Sequence, residues 1–144
     1  MQQDAVTDVV ITLGGWVRAQ PAFVLGTNEA GMRLRGATRA ADAAIWRRAG
    51  LGSYRGGLRR VAPVLAVEVA GDDELEQALR EKADWYLGAG VQVVWIVLPE
   101  LREVLVVTSA GERRWQLGET LPPHTALADL TPQVADFFVQ ITRQ

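Results

Sequence analysis

The sequence predicts an α/β protein with a mixed central sheet flanked by helices. Three observations predict it. Residues 64–70 and 91–98 are short, valine-rich apolar runs, the pattern of strands covered on both faces. The segment between them has helical periodicity, and strand, helix, strand in that order implies a parallel pair with a right-handed crossover. Two further runs, 103–108 and 112–117, flank Ser109, Ala110 and Gly111 as an antiparallel hairpin.

In chain order, residues 1–4 read as a short tail. Over 5–19, Val6, Val9, Val10, Leu13, Trp16 and Val17 recur at helical spacing, and Pro21 stops the helix. Residues 22–25 read as a strand, 26–31 as a turn, and 32–35 as a short strand that pairs back. Residues 38–46 give a third strand with Asp42 in its middle. The stretch 49–60, with glycines and arginines around Tyr54, reads as a mobile, substrate-facing loop. In the central unit Gly71 breaks the strand, and Asp72 and Asp73 offer N-cap oxygens. Glu74 and Glu76 suit the positive end of the helix, and Gly88 and Gly90 end it. Residues 118–125 form a loop carrying Pro122, Pro123 and His124. Residues 127–141 read as a final helix with Leu130, Val134, Phe137, Phe138 and Ile141 inward.

Composition narrows the chemistry. At 144 residues the whole chain, 1–144, is expected to form a single domain around one core. The absence of cysteine removes disulfides, thiol nucleophiles and thiolate zinc sites. With His124 the only histidine, a histidine triad or multi-histidine metal centre is excluded, so any metal is a hard cation on oxygen ligands. No leader and no apolar run of membrane-spanning length is present, so a cytoplasmic protein without a membrane partner is expected. The net charge of −2 hides an uneven distribution. Arg33, Arg35, Arg39, Arg47, Arg48, Arg55, Arg59 and Arg60 are opposed within their segment only by Asp42. Such a segment can bind phosphates, and Arg59 and Arg60, just ahead of the central strand, are placed to meet phosphate at the mouth of a site.

Three charges call for explanation. Glu68 interrupts the apolar run 64–70. In the following helix Leu75, Leu79 and Tyr86, flanked by Ala78 and Ala83, form a narrow stripe, and Lys82 falls in the middle of it. Of 15 basic residues Lys82 alone is a lysine. Charges directed into apolar surroundings are costly unless paired or bound. A lysine–carboxylate pair without a metal would leave one of Asp42 and Glu68 uncompensated. Two carboxylates can instead hold a divalent cation while the lysine orients a nucleophilic water. His124 is expected to be solvated. Trp46, Trp85, Trp95 and Trp115 sit where core residues belong rather than base-stacking platforms.

At these residues the sequence resembles a known family. VLAVEVAGDDELEQALREKADWYLGAGVQVVWIVLPE is similar to the core of the Uma-type restriction endonucleases of the PD-(D/E)XK nuclease superfamily. The likeness runs through a strand with Glu-Val, a polar turn, a helix with Glu-Lys and Tyr, then Gly-Val and a tryptophan-bearing strand. It extends from about Asp42 to Trp115. The resemblance implies a restriction-endonuclease-like core and hydrolysis of DNA phosphodiesters with Mg or Mn. It assigns Asp42 and Glu68 to the metal, assisted by the Val69 backbone carbonyl. Lys82 takes the lysine's role, moved from the strand to the next helix, and Ala70 stands at the vacated strand position. Arg55, Arg59 and Arg60 are the expected nucleic-acid contacts.

The sequence also departs from the pattern. Ala41 replaces the usual proline before the aspartate, and Leu98 an acid before Pro99. Relatives usually carry an N-terminal segment with strands of its own that can supply a further acid, and the chain is expected to lack it. Asp8 is the candidate substitute, and a homodimer the candidate compensation. The rival expectation is a catalytically impaired nucleic-acid-binding or interaction module, and a third is a structural oligomeric domain.

Overall fold

A computed structural model describes residues 1–52 and 57–143, the side chains of 28–30 excepted. Helix α1 (Gln2–Arg18) leads into strands β1 (Phe23–Leu34) and β2 (Ala37–Arg47), followed by a single helical turn, α2 (Arg48–Leu51). Then come β3 (Leu65–Val69), α3 (Glu76–Gly88), β4 (Val93–Leu98), β5 (Glu103–Thr108) and β6 (Gly111–Gln116). A 3₁₀ turn, Val134–Phe138, and α4 (Val139–Thr142) complete the order. Among the described residues six strands lie side by side in sequence order in one sheet. Only β3 and β4 run parallel, bridged by α3; every other neighbouring pair is antiparallel. The mixed sheet expected from sequence is therefore present.

The continuous apolar runs have a plain cause in the period-two alternation of a strand. Leu65, Val67, Val69, Val93, Trp95 and Val97 face α1 and the C-terminal segment, where Leu13, Phe137 and Phe138 are buried. Ala66, Val94, Ile96 and Leu98 face α3, which contributes Leu79, Ala83 and Tyr86. Both sides of the central strands are dry. Glu68 is the polar exception, directed to the α3 side.

Four local expectations are corrected. Residues 1–4 are no tail: α1 begins at Gln2. The turn expected over 26–31 is a register shift between Thr27 and Ala30 inside an unbroken 12-residue β1. Reversal comes instead at Arg35 and Gly36, with φ of 53° and 75°, between the paired Leu34 and Ala37. Two left-handed residues make the hairpin turn whose twist matches that of the strands. Helix α3 takes Leu75 as its N-cap rather than Asp72 or Asp73. Finally, the helix expected over 127–141 begins only at Val134, as a 3₁₀ turn followed by the single α turn of α4. Pro132 has no N–H and disfavours helical geometry at the residue before it, and Asp129 stands at φ 66°. A capping box between Gln133 and Asp136 then starts the 3₁₀ turn.

Candidate active site

The site begins where two strands part. β2 and β3 pair only from Ala43↔Val67 to Ile45↔Leu65. Past that point the backbone N–H of Val69 has no strand partner, and the Asp42 carboxylate accepts it, Oδ2 to N 2.7 Å. A buried amide left unbonded costs about 1–3 kcal/mol, so this contact fixes Asp42 beside the carboxyl end of β3. The bulge in β1 lies directly across from Asp42, between the pairs Thr27↔Ala43 and Ala30↔Ala41. Bulges bend a strand and re-aim its side chains. The Val69 carbonyl, the third expected metal ligand, accepts a hydrogen bond from the Gln2 side-chain amide at 3.0 Å.

Glu68 is 6% exposed. The Tyr86 hydroxyl donates to its Oε1 at 2.8 Å. Burial, reinforced by the nearby Asp42 charge, pushes the Glu68 carboxyl up to about 7, although the Tyr86 hydrogen bond and the Lys82 charge pull the other way. The same burial, with the Glu68 charge alongside, drives the Tyr86 hydroxyl far above its usual range. Near neutral pH Glu68 is thus balanced between its two protonation states.

Lys82 lies at the edge of the buried stripe of α3, not in its middle. Leu79, Ala83 and Tyr86 are buried, but Leu75 and Ala78 are exposed, so the stripe is narrower than its periodicity suggests. The Lys82 side chain is about half exposed and its Nζ lies 2.8 Å from Glu74 Oε2. The hydrogen bond to Glu74 holds the ammonium above the ordinary lysine value, and the charges of Glu68 and Asp42 add to that. Burial acts to raise Glu74, yet the bonds from Lys82 and from the Gly71 N–H hold it below the usual carboxylate range.

A cleft of about 290 Å³ opens here, lined by Arg39, Ala40, Glu68, Lys82, Trp85 and Tyr86. Asp42 is not part of that lining, but its charge acts on both Glu68 and Lys82. Arg39 stacks over Trp85, guanidinium to ring centroid 4.9 Å. The three charges singled out in the sequence therefore converge. Arg39, Glu74 and Gln2 join them unforeseen: an arginine on a strand, a glutamate ahead of a helix and a glutamine near the chain start carry no local signal of their partners.

Other expected residues lie elsewhere. Arg59 is half-buried, its guanidinium 4.4 Å from the Trp46 ring, and neither it nor the exposed Arg60 lines the cleft. Arg55 and Tyr54 fall outside the described residues. Asp8 is buried under the C-terminal segment, where Oδ2 accepts the Gln140 N–H at 3.0 Å. It supports α4 rather than the cleft. His124 is half-buried, not solvated, and its Nδ1 accepts the Ala126 N–H at 3.0 Å. Trp46 and Trp95 are buried, Trp85 and Trp115 half-buried.

Among the described residues no group of three or more histidine, cysteine, aspartate or glutamate side chains is placed to hold a metal ion. Of the expected donors only the Glu68 carboxylate lines the cleft; the Asp42 carboxylate and the Val69 carbonyl lie outside its lining, and all three are hard oxygens. That set suits Mg or Mn, which keep water ligands and commonly take one or two carboxylates plus substrate phosphate.

This sheet, with its one parallel pair bridged by a helix and acids gathered where the adjoining strand departs, defines a restriction-endonuclease-like α/β fold. The chain belongs to the Uma2 family, described as Putative restriction endonuclease, whose sequence model matches residues 2–139. The resemblance read from the central segment is thereby borne out. A crystal structure of a putative nuclease belonging to DUF820 from Anabaena variabilis ATCC 29413 is similar over 96% of this chain and 80% of that one, with a TM-score of 0.82 and 14% identity. At that identity the likeness speaks for the fold. None of the curated proteins compared matches the sequence. No helix among the described residues is long and apolar enough to cross a membrane.

Proposed function

We propose that the protein is an endonuclease that hydrolyses DNA phosphodiesters with Mg or Mn at the cleft between β3 and α3. The observation that carries this is that Glu68 and Lys82, from separate parts of the chain, line one opening while the Asp42 charge acts on both. Asp42 and Glu68 would hold the cation. When bound, it lowers the pKa of water and withdraws charge from the phosphoryl group. Lys82 is kept protonated by Glu74, so its part is to orient the water and stabilise developing negative charge, not to take a proton. Tyr86 donates to Glu68 Oε1 and so orients the carboxylate that would hold the cation. Substrate positioning and charge neutralisation make up most of what phosphodiester cleavage asks of a protein.

Plasmid nicking tests the proposal. Nicking is expected with Mg or Mn, is abolished by chelator, and disappears in Lys82→Ala and in Asp42→Asn. Activity surviving both substitutions would refute it. A second reading, DNA binding by an impaired site, is favoured by two observations: the site offers two carboxylates rather than three, and Gln2 already bonds the Val69 carbonyl. It expects DNA retention without nicking under every metal condition.

A further inference from the structure

The cations around the cleft differ in how they are partnered. On the β6 side Arg80 lies 2.9 Å from Glu112, and Arg114 lies 2.6 Å from Glu76 and 2.7 Å from Glu103. Their charge is already neutralised by protein carboxylates. On the opposite flank stand Arg35 and Arg39, carried by the β1–β2 hairpin and both exposed. Among the described residues neither makes a salt bridge. No acid occurs between Gly31 and Ala41.

Both arginines reach α3. Arg39 covers Trp85, and the Arg35 guanidinium lies so close to Gly88 that Nη1 would be 2.8 Å from a Cβ placed there. Lys82, Trp85 and Gly88 are spaced three apart, so they share one flank of the helix at intervals of about 4.5 Å along its axis. Arg39 and Arg35 thus form a row of positive charge leading from the cleft, beside the Glu74-paired Lys82, to the end of α3. Arg35 also occupies a left-handed backbone position, φ 53°, where asparagine, aspartate or glycine is favoured. The turn alone gives no reason for an arginine.

We propose that Arg39 and Arg35 continue from Lys82 as a phosphate track, along which the backbone of one DNA strand leaves the cleft. The track rests on the nuclease reading for its substrate, and it supplies contacts at the cleft itself, which neither Arg59 nor Arg60 lines. Arginine suits the task because its planar fork pairs two phosphate oxygens and stacks on tryptophan at once.

Binding of a fluorescein-labelled DNA duplex to the full chain in EDTA, followed by anisotropy across a salt series, tests it without cleavage. Each phosphate contact contributes about 0.9 to the slope of log affinity against log salt, so Arg35→Ala/Arg39→Ala is expected to lower the slope by about 2. Arg18→Ala, on the other face of the sheet, is expected to leave it unchanged. Arg39→Lys retains the charge and is expected to recover slope but not full affinity, which a merely structural arginine would not do. An unchanged slope in the double variant overturns the track, as does a wild-type chain that shows no salt-dependent retention. Wild-type binding with the expected slopes but no nicking in Mg or Mn leaves the track standing and refutes the nuclease reading.

Discussion

Replacing Glu68 with glutamine is expected to stabilise the metal-free protein, and to do so more as pH rises. The carboxyl is raised from 4.5 to about 7 by burial and by the Asp42 charge, against the opposing effects of Tyr86 and Lys82. Between those values the native state keeps a proton that the unfolded chain has released. Stability therefore falls with increasing pH across that window and levels off above it. At about 1.36 kcal/mol per pH unit, the ionised form costs roughly 3 kcal/mol by pH 8. Glutamine has nearly the same shape, can still accept the Tyr86 hydroxyl, and carries no charge. The wild type and Glu68→Gln should be nearly equal near pH 4.5 and diverge to about 3 kcal/mol at pH 8, a melting difference of roughly 10 °C for a chain of this size. Thermal or urea unfolding of both proteins at several pH values in EDTA measures this, with the other titrating groups common to the pair. A difference that stays flat with pH, or a glutamine variant less stable at pH 8, would refute the account of Glu68 as a destabilised acid awaiting a cation.

Other outcomes follow from the same geometry. Added Mg or Mn should raise the melting temperature of the wild type at pH 8, with little effect on Glu68→Gln, as a thermal shift assay would show. Tyr86→Phe removes a bond that lowers the Glu68 carboxyl, so the acid limb of the nicking profile should move to higher pH, along with a loss of about 1–2 kcal/mol of stability. Asp42→Ala should cost about 1–3 kcal/mol by stranding the Val69 N–H, and Asp42→Asn distinctly less, although both abolish nicking. Asp8→Ala should destabilise by about 1–2 kcal/mol through the loss of the Gln140 contact, with nicking per folded molecule unchanged.

What the amino-acid string disclosed depended on how local the cause was. The β3–α3–β4 unit was legible because double-sided burial leaves runs with no polar residue, and Glu68 stood out for breaking one. Lys82 was conspicuous as the sole lysine, yet its true position at the rim depends on which side of α3 the sheet covers. The bulge in β1 was hidden because Gly26 and Gly31 mark a turn and a bulge alike. The C-terminal segment was misread because Leu130, Val134, Phe137, Phe138 and Ile141 keep helical spacing across a proline that stops the helix from forming there. Arg39 stood out only as one of a run of arginines, since its place at the cleft comes from Trp85, a residue far along the chain. Asp8 was read as a candidate substitute acid for the site, not as the acceptor for an amide near the opposite terminus.

The grip of Asp42 on the amide that follows Glu68 has an evolutionary corollary. Both acids are referenced to the same few atoms of β3, so their spacing is indifferent to what the intervening polypeptide does. Lengthening or exchanging the loop between β2 and β3 adds little closure entropy. A sequence can therefore graft new surface there while the placement of the two acids stays intact.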